Sequence, residues 1–145
     1  MPASMEPPRV VIAIDMESYT WELIREYGEF TVNVLTEQYL DKIYYVGSRS
    51  GRDVDKVSTL NLNVSKGEKV NAPVILDAIA ILECKVYNTV ECGDTVLIIG
   101  DVVRCVADEK LFSDRYGWNI REAGIPLHLW GRCFTVPRII RFIRK

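Results

Sequence analysis

One ten-residue stretch combines the residue types needed to bind a phosphate group. Residues 47–56 read Gly-Ser-Arg-Ser-Gly-Arg-Asp-Val-Asp-Lys. Glycine frees the backbone so that successive N–H groups can turn toward one centre, while hydroxyls and cations add side-chain donors. The residues that supply these properties are Gly47, Gly51, Ser48, Ser50, Arg49, Arg52 and Lys56. The stretch, named the cradle below, therefore predicts an anion-binding loop, with a solvated loop of the same composition as the open alternative.

The cradle also predicts the start of a short helix. Asp53 can act as the N-cap, with Val54, Val57 and Leu60 at helical spacing after it. The first N–H groups of a helix lack partners within the helix, so they favour an anion. We therefore expect this helix to reinforce the cradle.

Length and composition limit the classes of protein to consider. The chain has 145 residues with 48% hydrophobic and 26% charged content, which indicates a single globular domain over residues 1–145. A formal net charge of −2 argues against nucleic acid or an anionic membrane as partner. No apolar run approaches the roughly 20 residues that span a bilayer, and no signal-peptide pattern begins the sequence. We expect a cytoplasmic protein.

The sequence gives little indication of a metal site or of a hydrolytic active site. The four cysteines show no C-x-x-C spacing and the sequence holds one histidine, His128, so we expect no metal site and structural rather than redox-active thiols. Neither a G-x-S-x-G nucleophile motif nor a G-x-G-x-x-G dinucleotide fingerprint occurs. The sequence therefore predicts neither a hydrolytic triad of this type nor a Rossmann-type dinucleotide site.

Hydrophobic periodicity and turn residues predict the elements that position the cradle. In the first half, residues 9–14 read as a strand, Ser18 or Thr20 caps a helix that ends at Gly28, and residues 30–34 form another strand. A second helix is expected from Thr36 to Gly47. In the second half we expect strands at 78–87, at 95–106 with a bulge or close approach at Gly100, and at 127–136, with a turn at 91–94, a loop at 111–124 and an amphipathic basic tail at 138–145.

These parts occur in an order that resembles the flavin reductase-like family of FMN-binding split-barrel proteins, close to the flavoredoxin group. The resemblance extends over about residues 2–136, and the string from Ser50 to Lys56 is its most specific part. The matching segments are Pro7-Pro8-Arg9-Val10, Tyr19-Thr20, the run from Gly28 to Leu35, the run from Ser50 to Lys56, Ala72-Pro73, Leu82-Glu83-Cys84, Gly93-Asp94, Ile99-Gly100-Asp101-Val102 and His128-Leu129.

The resemblance implies both a fold and an activity. The expected fold is mainly β with short helices, an FMN-binding split β-barrel that pairs into a homodimer with the flavin near the subunit interface. The expected activity is that of an NAD(P)H-dependent flavin reductase or a flavoredoxin-like electron carrier, in which the flavin carries the redox chemistry. Because the sequence has no dinucleotide fingerprint, NAD(P)H is expected to bind only transiently, as the electron donor to the flavin. A pyridoxamine-phosphate-oxidase-like activity on the same general barrel is a further alternative.

The resemblance also assigns site residues. Ser50 and Lys56 are expected to contact FMN, with the charges of Arg49 and Arg52 nearby. His128 matches a histidine near the flavin or the nicotinamide and is the catalytic candidate, although a lone histidine in an apolar strand is more often a packed, hydrogen-bonded residue. The remaining expected cofactor contacts are Ser4, Tyr19, Thr20, Ser48 and Gly51.

The sequence departs from the family pattern at its first residues. Family members usually carry an extra strand before the segment that matches residues 2–4, and this sequence begins at Met1. Two explanations stay open at this point: the start is misplaced, or the protein is a shortened version whose barrel lacks that strand. The alternative function is that of a non-enzymatic split-barrel module that binds a partner and has lost the flavin.

Overall fold

A five-stranded antiparallel sheet forms the body of the fold in the computed structural model, which describes residues 1–141. The strands in chain order are β1 (Pro2–Ser4), β2 (Arg9–Asp15), β3 (Glu29–Val34), β4 (Val64–Lys66), β5 (Pro73–Ile75), β6 (Ala80–Cys92), β7 (Thr95–Ala107), β8 (Phe112–Ser113), β9 (Gly117–Trp118), β10 (Leu127–Trp130) and β11 (Cys133–Thr135). The helices are α1 (Tyr19–Tyr27), α2 (Leu40–Ser48), α3 (Lys56–Leu60) and α4 (Ile120–Ala123), with a 3-10 turn at Glu37–Tyr39. The prediction of a mainly β fold with short helices is confirmed.

The long hairpin of β6 and β7 organises the main sheet. The strand order is β1-β2-β7-β6-β3, so β1 and β3 are its edges, and β4–β5, β8–β9 and β10–β11 form separate two-stranded pairs. β2 pairs with the first half of β7 and β3 pairs with the first half of β6. The helix α1 connects the end of β2 to the start of β3.

The core lies where α1 packs on the sheet. Its buried residues are Ile24, Phe30, Cys84, Val96 and Ile98. Gly100 provides the close approach that the sequence predicts, because a Cβ atom there would lie only 2.6 Å from Cζ of Phe30. The pairing between β6 and β7 is also irregular beside Gly100, between Val86 and Asn88. A glycine is therefore needed for the aromatic ring to approach the strand this closely.

Local signals place the first helix correctly. Ser18 is the N-cap of α1 and accepts a hydrogen bond from the Trp21 N–H at 3.2 Å. Gly28 ends the helix in the left-handed conformation, with φ of 66°, and its N–H bonds the Ile24 carbonyl. Both ends of α1 follow from residues that satisfy its unpaired backbone groups.

The second helix differs from the prediction at both ends. Thr36 precedes a 3-10 turn and makes no side-chain cap, and α2 proper begins at Leu40. Gly47 lies inside α2, which continues to Ser48. A glycine inside a helix costs only about 1 kcal/mol relative to alanine, so Gly47 alone does not end it.

Three predictions in the second half are corrected by pairing between strands. β6 continues to Cys92, since its last residues pair with the start of β7, and only residues 93–94 form the turn. Residues 111–124 contain the β8–β9 hairpin and α4, and the rings of Phe112 and Trp118 pack edge to face at 5.2 Å. The final strand is a hairpin that turns at Gly131, with φ of 53°. In the basic tail, residues 138–141 have no regular structure and residues 142–145 lie outside the described part.

A buried carboxylate holds the segment before β5 against the sheet. Glu83 on β6 is 1% exposed. Its Oε1 accepts hydrogen bonds from the Glu68 N–H and from Arg104 Nη1, and its Oε2 accepts from the N–H groups of Lys69 and Val70, at 2.6 to 3.2 Å. Burial acts to raise the pKa of Glu83, but these donors outweigh it and hold the pKa below its usual range. The side chain therefore stays ionised inside the protein.

Candidate functional site

The cradle forms one wall of a cavity of about 980 Å³ beside the N-terminal end of α1. α1 contributes Tyr19, Thr20 and Leu23, and Pro73 at the start of β5 closes another side. Every residue of the cradle from 47 to 56 lines the space. The cavity is thus built from segments far apart in sequence, which the sheet brings together.

The structure gathers eight of the ten predicted site residues around this cavity. The eight are Tyr19, Thr20, Ser48, Arg49, Ser50, Gly51, Arg52 and Lys56. Ser4 ends β1 and His128 lies on β10, and neither lines the cavity of the single chain. Their roles in binding or catalysis stay predictions.

The backbone of the cradle closes on Ser50. The Ser50 carbonyl accepts the N–H groups of Asp53 and Val54, both at 3.3 Å. The Ser50 hydroxyl oxygen accepts the N–H of Arg52 at 3.2 Å. These three N–H groups therefore hold the loop in shape instead of pointing toward a common anion.

The helix after the cradle begins two residues later than predicted, and its cap is Asp55. Oδ1 of Asp55 accepts the N–H groups of Val57 and Ser58 at 3.1 Å, and Oδ2 accepts the Ser58 hydroxyl at 2.6 Å. These bonds, led by that from the Ser58 hydroxyl, lower the pKa of Asp55. The prediction of Asp53 as cap is wrong because Asp53 and Val54 belong to a turn that closes on the Ser50 carbonyl, and the helix begins only after this turn. Since Asp55 already accepts the N–H groups of Val57 and Ser58, these two donors of α3 are not available to an anion.

Three cations of the cradle have different surroundings. Lys56 donates from Nζ to the Val46 carbonyl at 2.6 Å, which leaves its charge unneutralised. The Arg49 guanidinium lies 5.9 Å from the centre of the Tyr45 ring on α2. The Arg52 guanidinium instead donates two hydrogen bonds to the N-terminal end of α1 and the residue that precedes the N-cap of that helix. Lys56 and Arg49 are therefore the cations best placed to meet an anionic ligand.

The cavity also has an apolar side and carboxylates. Leu23, Val46, Val54, Val57 and Pro73 provide the apolar surface. The carboxylates among the described residues that line it are Asp15, Glu17, Asp53 and Asp55. Pro73, Leu23 and the acidic residues were missed in the sequence analysis as site residues; for Pro73 the Ala72-Pro73 motif was the available signal.

His128 has the environment of a packed hairpin residue. Its Nε2 lies 3.0 Å from the Gly131 carbonyl oxygen, and its ring stacks on Phe134 with centroids 4.8 Å apart. All four residues of β10 are exposed, and Trp130 is 86% exposed. Within one chain, these two contacts of His128 both lie inside the β10–β11 hairpin.

The described residues contain neither a cluster of metal ligands nor a membrane-spanning helix. Within residues 1–141, no group of three His, Cys, Asp or Glu side chains could hold a metal ion. No helix in the same residues has the length and apolar character to cross a bilayer. The cysteines are free, and burial raises the pKa of the Cys84 thiol to about 11.

Comparison with known proteins establishes the family. Residues 1–132 match the family model described as "Flavin reductase like domain", and the chain belongs to this family. It is 37% identical over 114 residues to an uncharacterized protein of Archaeoglobus fulgidus, which covers 79% of this chain and 64% of that protein. It is 33% identical over 99 residues to a flavin reductase of Pseudomonas putida, covering 68% and 55% of the two chains. The chain spans between 39% and 64% of the length of the first curated relatives that it matches.

Solved structures show the same fold. Flavoredoxin from Methanosarcina acetivorans superposes with a TM-score of 0.87 at 24% identity, covering 99% of this chain and 76% of that chain. A split barrel domain protein from Shewanella frigidimarina superposes with a TM-score of 0.89 at 14% identity, covering 100% and 74%. The predicted split-barrel architecture is thereby confirmed.

Proposed function

We propose that the chain binds FMN in the cradle cavity and acts as an NAD(P)H-dependent flavin reductase or a flavoredoxin-like electron carrier. One observation carries the proposal: the donors of the cradle and the Tyr19-Thr20 pair line a single cavity of about 980 Å³. Membership of the flavin reductase-like family supports the same function.

The residues of the cavity fit a phosphorylated ligand with a flat ring system. The volume lies at the upper end of the roughly 300–1,000 Å³ usual for small-molecule sites. Leu23, Val57 and Pro73 offer an apolar surface for a ring, while Arg49 and Lys56 offer unneutralised positive charge for a phosphate. Both halves of an FMN molecule thus have a matching part of the cavity.

The protein residues bind and orient, and the flavin, when bound, supplies the transfer of electrons between donor and acceptor. Lys56 and Arg49 offset the phosphate charge through charge-assisted hydrogen bonds. The Ser50 oxygen accepts the Arg52 N–H, so its own hydroxyl hydrogen remains available for a phosphate oxygen. Apolar groups beside the ring exclude water from it.

The first experiment measures FMN binding by the purified chain. Excess FMN is added and removed by desalting, and the retained visible absorption and a titration of FMN fluorescence give the affinity. Lys56→Gln and Arg49→Gln should each weaken binding about tenfold, since a hydrogen bond to a charged group contributes roughly 1.5–3 kcal/mol. Lys66→Gln, at an exposed position on β4, is the matched control. Unchanged affinity in both cradle variants would refute the assignment.

A second measurement separates a reductase from a carrier. Continuous NAD(P)H oxidation with excess FMN indicates a reductase, whereas a single stoichiometric bleaching of bound flavin indicates a carrier. His128→Ala tests the catalytic prediction, which requires a slower flavin reduction at unchanged FMN affinity. An unchanged rate would remove His128 from the mechanism.

The alternative is a split-barrel module that binds a partner without flavin. It is favoured by the closure of three cradle N–H groups on Ser50 and by the carboxylates in the cavity. A chain that stays colourless after loading and gives no change in FMN fluorescence would support this alternative.

Homodimerisation is part of the proposal, with no nucleic acid or membrane as partner and the cytoplasm as location. Support comes from the β10–β11 hairpin, where Leu127, Leu129 and Trp130 are 52%, 58% and 86% exposed. Exposed apolar groups so close together are typical of surfaces that contact another protein. Light scattering of the purified chain should give twice the monomer mass, and Trp130→Arg should lower it to that of the monomer.

A further inference from the structure

We infer that Arg52 is a positioning residue, which holds the cradle against α1 instead of binding the phosphate itself. The inference rests on the proposed function, since it assigns a role within the same site. It separates Arg52 from Arg49 and Lys56, the other cations that line the cavity among the described residues.

Both terminal nitrogens of the Arg52 guanidinium are occupied by the start of α1. Nη1 donates to the Glu17 carbonyl at 3.0 Å, and Nη2 donates to Oε1 of Glu22 at 2.6 Å. Glu17 and Glu22 lie on either side of the N-cap, Ser18. One side chain of the cradle is therefore attached to α1 at two points, through two separate nitrogens of a planar guanidinium that a lysine ammonium does not have.

Two successive cradle residues also contact the first residue of α1. The Arg52 guanidinium carbon lies 5.5 Å from the centre of the Tyr19 ring. Gly51 approaches the same ring so closely that a Cβ atom there would lie 3.0 Å from Cδ1 of Tyr19. The Tyr19 ring thus lies close to both the cradle backbone and the guanidinium, and Arg52, Glu22 and Tyr19 together are called the clasp.

The clasp is connected through the Arg52 backbone to Ser50, one of the proposed phosphate contacts. The Arg52 N–H donates to the Ser50 hydroxyl oxygen, so a displaced Arg52 would displace Ser50. The charge of Arg52 is also already matched by the Glu22 carboxylate, whose Oε1 lies 2.6 Å from Nη2; this hydrogen bond raises the pKa of Arg52. Within residues 1–141, by contrast, neither Arg49 nor Lys56 forms an ion pair with a carboxylate.

The clasp and a direct phosphate contact predict opposite effects for Glu22→Gln. If Arg52 bound the phosphate, removing its carboxylate partner would free the cation and tighten FMN binding. If Arg52 positions the cradle, Glu22→Gln and Arg52→Gln each weaken FMN binding about two- to fivefold, as an exposed ion pair allows. The double variant should then be no weaker than the single variants, since both remove the same contact. Arg52→Lys, which keeps the charge and loses the fork, should behave as Arg52→Gln.

Amide hydrogen exchange tests the clasp without flavin. In the protein with no FMN added, exchange of residues 49–54 should be faster in Arg52→Gln and Glu22→Gln, and unchanged in Arg49→Gln. Exchange in β6 and β7 should stay as in the wild type, which excludes a general loss of stability. Glu26→Gln, on the exposed side of α1, is the matched control for Glu22→Gln.

The two readouts separate this inference from the proposed function. If the wild-type chain does not bind FMN, the proposed function fails while hydrogen exchange still decides on the clasp. Unchanged exchange of residues 49–54 in both variants, or tighter FMN binding by Glu22→Gln, would overturn the positioning role of Arg52.

Discussion

Replacement of Glu83 by glutamine should destabilise the protein more than its conservative chemistry suggests. The two carboxylate oxygens of Glu83 accept four hydrogen bonds, three from backbone N–H groups of residues 68–70 and one from Arg104. A glutamine amide has one acceptor oxygen, so in either orientation its NH₂ group faces two of these donors. The substitution also removes the negative charge of Glu83, which forms an ion pair with Arg104.

The magnitude follows from burial. Glu83 is 1% exposed, so its donors lose their acceptor with limited access to water. Leaving a buried donor unpaired costs about 1–3 kcal/mol, and breaking a buried ion pair costs about 3–5 kcal/mol. Because Arg104 keeps its second partner, Glu68, at 2.6 Å, we expect a loss of about 3 kcal/mol in the free energy of unfolding. For a chain of this length this corresponds to a Tm lower by roughly 10 °C.

Urea unfolding followed by circular dichroism at pH 7 measures this loss, with Glu91→Gln on the exposed end of β6 as control. The native pKa of Glu83 lies below its unfolded value, so its stabilisation is present above an unfolded pKa of about 4.3 and disappears as pH falls through the native pKa. The difference between wild type and Glu83→Gln should therefore shrink below about pH 4. A loss at pH 7 no larger than that of Glu91→Gln, or a loss independent of pH, would refute the reasoning.

Two further predictions concern packing and reactivity. Gly100→Ala should lower the free energy of unfolding by about 1–3 kcal/mol, because its Cβ would lie 2.6 Å from the Phe30 ring. Gly47→Ala, in open space inside α2, should raise it by about 0.5–1 kcal/mol in the same urea assay, and equal effects of the two would contradict the packing described. Cys84, buried and with its pKa raised to about 11, should react with a thiol reagent at pH 8 far more slowly than the three exposed cysteines, and equal rates in the native protein would show that β6 opens readily.

Elements with complete local signals could be predicted from the sequence. α1 has an N-cap at Ser18 and a left-handed glycine at its end, so both of its boundaries depend on residues within or next to the helix. Strand 9–14 was found from a continuous run of apolar, β-branched residues, and strand 30–34 from the alternation of apolar with polar residues. The need for glycine at position 100 could also be inferred, since a lone glycine in a strand often marks a close approach.

Other features depend on contacts that the sequence does not display. Asp53 and Asp55 are equally suitable caps by type, and the choice between them follows from a turn that closes on Ser50. The end of β6 at Cys92 depends on its pairing with β7. Local patterns cannot decide between such alternatives, because each choice is made by a partner elsewhere in the chain.

The part of the candidate site that belongs to sequence motifs could be predicted. The residues of the cradle and the Tyr19-Thr20 pair were identified from the sequence and meet at one cavity. The pairing of Arg52 with Glu22 could not be predicted, since the two residues are 30 positions apart and Glu22 is one of 20 acidic residues in the sequence. The sequence thus identified eight residues that line the cavity, whereas their proposed division into ligand contacts and supports depends on the geometry.

The balance of charge around the cavity has a consequence for the kinetics of ligand capture. Among the described residues that line it, the carboxylates of Asp15, Glu17, Asp53 and Asp55 outnumber the cations by four to three. A nearly neutral mouth does not attract an anion from a distance, because only a strong field of one sign raises encounter rates. Capture of a phosphorylated ligand should therefore proceed at an unassisted diffusional rate that changes little with ionic strength. Selection among anions then occurs after entry, through short-range contacts.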